Sequence, residues 1–193
     1  MTSDEFENNR VLEAEVDPMF PGRWSPRAFL SDPIPETLLM SLFEAARWSP
    51  SCFNEQPWVF HYANEEMDKK RFLEALVEGN QKWAYKAPVL VFILARRHFK
   101  HNNTENRYAM FDAGAAWMAL ALQARKHGLY THAMAGFDDN KAYEILNVSK
   151  ESHMILAAIA IGRRGDPNDL SEDYRAIESP NIRKPLSEMV VKG

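Results

Sequence analysis

Residues 48–58 have the sequence WSPSCFNEQPW and separate a segment with helical periodicity from one rich in aromatic and β-branched residues. Pro50 stiffens the chain here, and Ser51, Asn54 and Gln56 offer hydrogen-bond donors and acceptors. Taken alone, the stretch is typical of a turn whose polar side chains bond to its own backbone. The alternative is a rigid polar surface that binds a ligand.

Helices and strands alternate on both sides of this stretch. Apolar residues at helical spacing predict helices over residues 5–16, 35–49, 65–79, 108–128 and 139–147. Short runs of apolar, aromatic and β-branched residues predict buried strands over residues 57–63, 87–95 and 153–162. We therefore expect one domain over residues 1–193, in which helices cover a sheet. No glycine-rich phosphate-binding motif follows a strand, which argues against a regular dinucleotide-binding array.

Composition excludes several classes of protein. Lys and Arg number 23 against 27 Asp and Glu, and the net charge of -4 argues against nucleic-acid binding by charge. The single cysteine, Cys52, allows no disulfide within the chain, which fits a reducing compartment. The N-terminus is acidic rather than signal-like, and the apolar runs are shorter than the roughly 20 residues of a membrane helix. We expect a cytoplasmic protein without a membrane or nucleic-acid partner.

The segment GRWSPRAF, residues 22–29, is the first candidate site. Arg23, Ser25 and Arg27 alternate, so an extended backbone directs all three side chains the same way. Two guanidiniums and a hydroxyl on one side can hold a phosphate or a carboxylate. The alternative is a pair of surface arginines that form ordinary ion pairs.

Other polar residues give weaker signals. Cys52 has no neighbouring histidine or second cysteine that would activate it, so a packed thiol is favoured. His98 and His101 lie three apart without further ligands at metal-binding spacing, and no catalytic triad motif is present. Gly136, after residues 130–135, permits either a close backbone approach or an unusual φ, although an ordinary strand ending in a turn explains it equally well.

The order of several segments resembles the FMN-dependent nitroreductase family. These segments are RWSPRAF, SPSCFNEQPW, KAPVLVFILA, DAGAAWMALALQARKHGL, AMAGFD, AIAIGRRGD and RKPLSE, and they extend from about Arg23 to Val190. The resemblance departs at Ser49, where the family motif usually has alanine. It implies an α+β fold of three α/β/α layers, with a mixed, mostly antiparallel sheet, in an intertwined homodimer. Residues 1–16 would be an N-terminal helical extension, and the tail over residues 163–193 would wrap the partner subunit.

The resemblance also implies where FMN binds, at the subunit interface. It places no catalytic side chain and no metal, because flavin N5 carries the chemistry. The Gly136 N–H would reach N5 or O4, and the partner subunit would supply the residues of the 48–58 loop. The implied cofactor-binding residues are Arg23, Trp24, Ser25, Arg27, Pro50, Ser51, Asn54, Ala135, Gly136, Arg183 and Lys184. Tyr108 and Phe111 are candidates for lining the acceptor pocket.

The implied activity is electron transfer in two steps. NADH or NADPH reduces FMN, and the reduced flavin then reduces a small electron acceptor such as a nitroaromatic, a quinone or an activated alkene. One alternative is a flavin-binding sensor or storage protein without turnover. Another is a different reaction on the same fold.

Overall fold

A sheet of four strands forms the centre of the protein, in a computed structural model that describes residues 10–193. Its strands lie in the order β1-β2-β4-β3, and all three pairings are antiparallel. The strands are β1 (Trp58–Ala63), β2 (Val89–Arg96), β3 (Tyr130–Met134) and β4 (His153–Gly162). The three predicted strands are confirmed. The fourth strand, β3, lies directly before Gly136, where an ordinary strand ending in a turn was one interpretation of the sequence.

Seven helices accompany the sheet within residues 10–193. They are α1 (Met19–Gly22), α2 (Glu36–Arg47), α3 (Glu66–Ala75), α4 (Glu78–Ala84), α5 (Ala109–Lys126), α6 (Asp139–Leu146) and α7 (Glu172–Ala176). The predictions that correspond to α2, α5 and α6 are confirmed. Gly128, with a φ of +72°, follows α5 in the left-handed region that favours glycine.

Two helix predictions are wrong. The helix predicted over residues 65–79 is interrupted, because Leu76 adopts an extended conformation and pairs with Phe137 in an isolated bridge. Two helices, α3 and α4, therefore replace the single one. Residues 10–16 of the predicted N-terminal helix are not helical, and Arg10 there bonds to backbone carbonyls of other segments. Residues 1–9 lie outside the described part of the chain.

The central strands separate two apolar cores. In β2 the side chains of Leu90, Phe92 and Leu94 pack into one core, and the residues between them pack into the other. The first core contains apolar residues of α3, α4 and α6, and the second contains those of α2 and α5. A strand buried on both faces explains why residues 87–95 are continuously apolar. The result is the three-layer arrangement that the resemblance implies.

The helices of residues 10–193 include none that is long and apolar enough to cross a membrane.

Candidate functional site

Residues 23–27 run beside the edge strand β3 and alternate in exposure. Arg23, Ser25 and Arg27 are half-buried, whereas Trp24 and Pro26 between them are buried. Alternation of this kind is what an extended backbone produces, and it puts the two arginines and the serine on one side. The predicted common side of these three residues is therefore observed.

Positive charge accumulates on this side of the segment. Burial lowers the pKa of Arg23, and the positive charge of Arg183 lowers it further, so the two guanidiniums lie close together. Arg10 joins them, because it donates hydrogen bonds to the carbonyls of Arg23 and Asn181 at 2.9 and 2.8 Å. Among residues 10–193, none of Arg23, Arg27 and Arg183 forms an ion pair with a carboxylate. Such a group of cations suits an anion.

His132 in β3 holds the arginine segment on the sheet. Its Nδ1 donates a hydrogen bond to the carbonyl of Pro26 at 2.8 Å, and its ring lies 4.6 Å from that of Trp83. Burial lowers the pKa of His132 to about 4; the charges of Arg27 and Arg23 also lower it, and the bond to Pro26 opposes them. The imidazole is neutral at pH 7. The sequence does not reveal this residue, because a single histidine in a strand carries no motif.

Glu178 fastens the C-terminal tail to the same segment. Its side chain is buried, with 8% of the residue exposed, and its carboxylate accepts the backbone N–H groups of Arg27 at 2.8 Å and Ala28 at 2.9 Å. Because Arg183 follows five residues later, this contact directs the tail toward Arg23. Nothing in the sequence distinguishes Glu178 from the other acids of a polar tail, so the sequence does not reveal it either.

Gly136 follows the end of β3 and packs tightly against Asn80 in α4 and against Val77, which directly precedes that helix. A Cβ atom on Gly136 would lie 2.7 Å from Asn80 Nδ2 and 2.9 Å from Val77 Cγ2. Its carbonyl accepts hydrogen bonds from Asn80 Nδ2 and Val77 N, while its own N–H donates to no residue within 10–193. Of the two roles predicted for this glycine, the structure shows the close approach and not a positive φ. Ala135 beside it is exposed.

We call Arg23, Ser25, Arg27, Ala135, Gly136 and Arg183 the β3-edge cluster.

The 48–58 loop has a strained and well-anchored backbone. Phe53, Asn54 and Gln56 have φ of 54°, 55° and 51°, in a region that residues other than glycine seldom occupy. The Ser51 hydroxyl accepts from Gln56 N at 2.9 Å, and Cys52 N donates to Asp112 in α5 at 3.1 Å. The turn interpretation thus holds for Ser51. The Asn54 side chain is exposed and forms no hydrogen bond with another described residue.

Aromatic side chains surround this loop and face outward. Phe53 and Phe111 are each 80% exposed, Trp48 is 74% exposed and Tyr108 is 47% exposed. The bond from Cys52 to Asp112 joins the loop to the first turns of α5, which carry Phe111. A concentration of exposed aromatic rings marks a surface that another molecule covers.

We call Pro50, Ser51, Asn54, Tyr108 and Phe111 the β1-edge cluster.

The two clusters lie far apart within one chain. β1 and β3 are opposite edges of the sheet, with β2 and β4 between them, which is a separation of about 14 Å at the usual strand spacing. Helix α5 runs from one cluster to the other: Asp112 contacts the loop, and the guanidinium of Arg125 lies 4.0 Å from the ring of Tyr130 in β3. From Asp112 to Arg125 the helix rises about 20 Å.

Comparison with known proteins identifies the family. Residues 21–81 and 63–163 match the model of the nitroreductase family. The chain belongs to the nitroreductase family.

Two solved structures and one curated relative illustrate the similarity. A crystal structure described as an oxidoreductase containing FMN is 40% identical, with 97% of this chain and 96% of that chain covered and a TM-score of 0.93. A Thermus thermophilus protein named NADH dehydrogenase is 26% identical over 94% of this chain and 96% of its own length. A nitroreductase family protein from Streptococcus pneumoniae covers 89% of this chain and 96% of its own at 19% identity, with a TM-score of 0.71, and supports the fold alone.

The cofactor-binding and partner-wrapping predictions for this nitroreductase family member stay predictions, and the structure shows where three of the residues or segments concerned lie. The Trp24 ring lies in the core, 6.1 Å from that of Tyr130, on the side away from Arg23. Lys184 forms an exposed ion pair with Glu188 at 3.0 Å, so it is not directed at the other cations. Residues 181–193 of the tail are exposed, which leaves them available to a partner subunit.

The sequence also predicts that the protein has no metal site. Within residues 10–193 of this nitroreductase family member, no group of three or more histidines, cysteines or acids is arranged to hold a metal ion.

Proposed function

We propose that the protein is an FMN-dependent oxidoreductase. It takes electrons from NADH or NADPH and delivers them to a small, electron-poor acceptor such as a nitroaromatic, a quinone or an activated alkene. The β3-edge cluster carries the proposal. At this sheet edge lie three guanidiniums that form no ion pair, and a glycine N–H that finds no acceptor, among residues 10–193. The relatives described as an FMN-containing oxidoreductase and an NADH dehydrogenase support it.

The residues of the β3-edge cluster suit FMN in their chemistry. Arg23 and Arg183 supply fixed positive charge for a phosphate group, and Ser25 adds a hydroxyl donor. The N–H of Gly136 can donate to an acceptor atom at the ring edge. When bound, FMN supplies the redox chemistry, by accepting a hydride from the nicotinamide and passing electrons to the acceptor.

The side chains of this protein bind and tune rather than react. Arg27 brings a positive charge to the ribityl or pyrimidine end of the ligand, where it favours the more negative, reduced state. His132 adds no charge at pH 7, because its pKa is about 4, and it fixes the segment that carries both arginines. Glu178 restrains the same backbone from the tail. The proposed transfer requires no side-chain nucleophile, because FMN supplies the redox chemistry.

The proposed active form is a homodimer in which each site combines two chains. One chain supplies its β3-edge cluster, and the other supplies its β1-edge cluster with Asn54 and the aromatic rings. The geometry supports this arrangement, since the clusters of one chain lie at opposite edges of the sheet, about 20 Å apart along α5. A symmetric dimer brings the two clusters together twice, and it also covers Phe53 and Phe111.

Mixing two inactive variants tests this proposal. Arg23→Ala damages the β3-edge cluster and Asn54→Ala damages the β1-edge cluster, so each homodimer should lose FMN affinity and NAD(P)H oxidation. After co-refolding at equal amounts, half of the dimers are mixed, and each mixed dimer contains one intact site. Activity should recover to about one quarter of the wild-type value.

Three outcomes contradict the proposal. A mixture that stays as inactive as each variant alone would place both residues in one chain's site. Unchanged FMN affinity and reduction rate in Asn54→Ala would show that the loop is wrongly assigned. A colourless wild-type protein that fails to take up added FMN would remove the proposed function altogether.

A further inference from the structure

A cavity lies at the β1 edge, next to the β1-edge cluster but lined by other residues. It has a volume of about 770 Å³ and opens between the 48–58 loop and the segment that follows β2. Arg96, His98 and Lys100 line it. These three residues alternate along the chain and are exposed, whereas Phe99 between them is buried. Their side chains therefore share the side of the segment that faces the cavity.

Two of the cations that line the cavity have no carboxylate in direct contact among the described residues. Within residues 10–193, neither Arg96 nor Lys100 forms an ion pair. Arg96 Nη1 donates a long hydrogen bond to the Gln56 carbonyl at 3.4 Å, which does not neutralise its charge. The neighbouring Arg97 is held more firmly, because its Nε donates to the carbonyls of Lys150 and His153 at 2.6 and 3.2 Å. Arg96 and Lys100 are thus cations whose charge is left for another partner.

Glu55 is the acid that lines this cavity, and its carboxylate is turned away to the backbone. It accepts the N–H of Lys100 at 2.8 Å and its side chain is only 10% exposed. Its other oxygen lies 3.9 Å from His101 Nδ1. The carboxylate is therefore bonded to the backbone of this segment and forms no ion pair with Arg96 or Lys100.

The cavity is continuous with the loop that carries Asn54. Glu55 and Gln56 line it, and the side-chain amide of Gln56 donates to the Asn54 carbonyl at 2.9 Å. A ligand with its anionic end in the cavity can therefore extend over the β1-edge cluster. The proposed electron donor has this shape, since it carries a pyrophosphate at a distance from the nicotinamide, and the chain has no glycine-rich motif to hold that pyrophosphate.

We propose that this cavity binds the pyrophosphate-bearing end of the reduced nicotinamide dinucleotide, with Arg96 and Lys100 in contact with phosphate oxygens. The inference rests on the proposed function and adds to it a site for the donor. The volume lies within the roughly 300–1,000 Å³ of small-molecule sites, and both cations are suited to phosphate.

The test compares an electron donor that carries phosphate groups with one that carries none, using the FMN-loaded protein. In the double variant Arg96→Gln with Lys100→Gln, KM for NADH should rise about five- to tenfold, because two solvent-exposed charge contacts are lost. The kcat at saturating NADH should stay unchanged. Oxidation of 1-benzyl-1,4-dihydronicotinamide, which has no phosphate, should proceed with an unchanged kcat/KM.

A matched control removes the same charge elsewhere. Lys69 and Lys70 lie in α3 and form no ion pair within the described residues, so Lys69→Gln with Lys70→Gln should leave KM for NADH unchanged. As a second measurement, inorganic pyrophosphate should compete with NADH in the wild type and no longer do so in the double variant at Arg96 and Lys100.

The outcomes separate this inference from the proposed function. An unchanged KM for NADH, or an equal loss with both donors, overturns the inference alone. An equal rise of KM for NADH in the control variant Lys69→Gln with Lys70→Gln overturns it as well, because the loss of net charge would then explain the result. If the FMN-loaded wild type oxidises neither donor, the proposed function fails and this inference fails with it.

Discussion

Replacement of Glu178 by alanine should cost about 3 kcal/mol of unfolding free energy. The change removes the carboxylate that accepts the N–H groups of Arg27 and Ala28. A hydrogen bond to a charged group contributes about 1.5–3 kcal/mol. Water can reach the half-buried Arg27 and replace part of that bond, but Ala28 is only 1% exposed, so its N–H would stay without a partner.

The same substitution should weaken FMN binding at least about tenfold, because the backbone of Arg27 and the direction of the tail toward Arg183 both depend on the carboxylate. Glu178→Gln retains one carbonyl oxygen as an acceptor and should cost only about 1 kcal/mol. Urea unfolding at one fixed protein concentration measures the stability, which is necessary if the protein is a dimer. Titration with FMN and with riboflavin shows whether the loss concerns the phosphate contacts.

Glu172→Ala is the matched control for this prediction. Glu172 is an exposed acid of the same tail, at the start of α7, and its removal should cost less than about 0.5 kcal/mol. If Glu178→Ala destabilises the protein no more than Glu172→Ala does, the buried carboxylate is not what fastens the tail. Equal losses of FMN and riboflavin affinity would contradict its proposed effect on the phosphate contacts.

Three further substitutions test other contacts of the site. Gly136→Ala should cost about 1–3 kcal/mol in urea unfolding, because the new Cβ would lie 2.7 Å from Asn80 Nδ2, and Asn80→Ala in the same chain should recover part of the loss. His132→Gln should remove a pH dependence of the unfolding free energy. The pKa of His132 falls from 6.5 to about 4 on folding, so the unfolded chain takes up the proton at a higher pH than the folded one. In the wild type, stability that is present above pH 6.5 should therefore decrease by about 2–3 kcal/mol as the pH falls to 4. Asp112→Ala should lower FMN affinity more than Asp112→Asn in fluorescence titrations, because Asn keeps an acceptor for Cys52 N.

Each of these has a result that would contradict it. A double variant no more stable than Gly136→Ala alone would exclude the clash with Asn80. Identical stability differences at pH 7 and pH 4.5 between wild type and His132→Gln would show that His132 does not titrate as described. Equal FMN affinities for the two Asp112 variants would show that the loop does not need the acceptor.

Much of the fold follows from local pattern in the sequence. The continuous apolar run of residues 87–95 predicts a strand buried on both faces, which is β2 between its two neighbours. The alanine- and leucine-rich run that ends near Gly128 predicts α5. The structure agrees at the end of this helix, where basic residues occupy the last turn and Gly128 follows with a positive φ. The alternation of Arg23, Ser25 and Arg27 likewise predicts their common side.

Local pattern fails where a long-range contact decides the conformation. Leu76 ends α3 because it pairs with Phe137, which lies in a segment after β3. His132 and Glu178 hold the arginine segment through hydrogen bonds to partners that are 106 and 151 residues away in the sequence. No periodicity or motif records contacts of that separation.

The sequence by itself determined most of the helices and strands, the family resemblance and the residue types that can hold an anion and a flat ligand. Periodicity and motif order depend on neighbouring residues, and neighbouring residues are what a sequence displays. The resemblance implied that the 48–58 loop serves the partner's site, and only the tertiary structure gave the physical reason: strand order puts the β1-edge and β3-edge clusters at opposite edges of the sheet, with α5 between them. That separation arises from the packing of distant segments into one core, and it is the physical reason for proposing that a second copy of the chain completes each site.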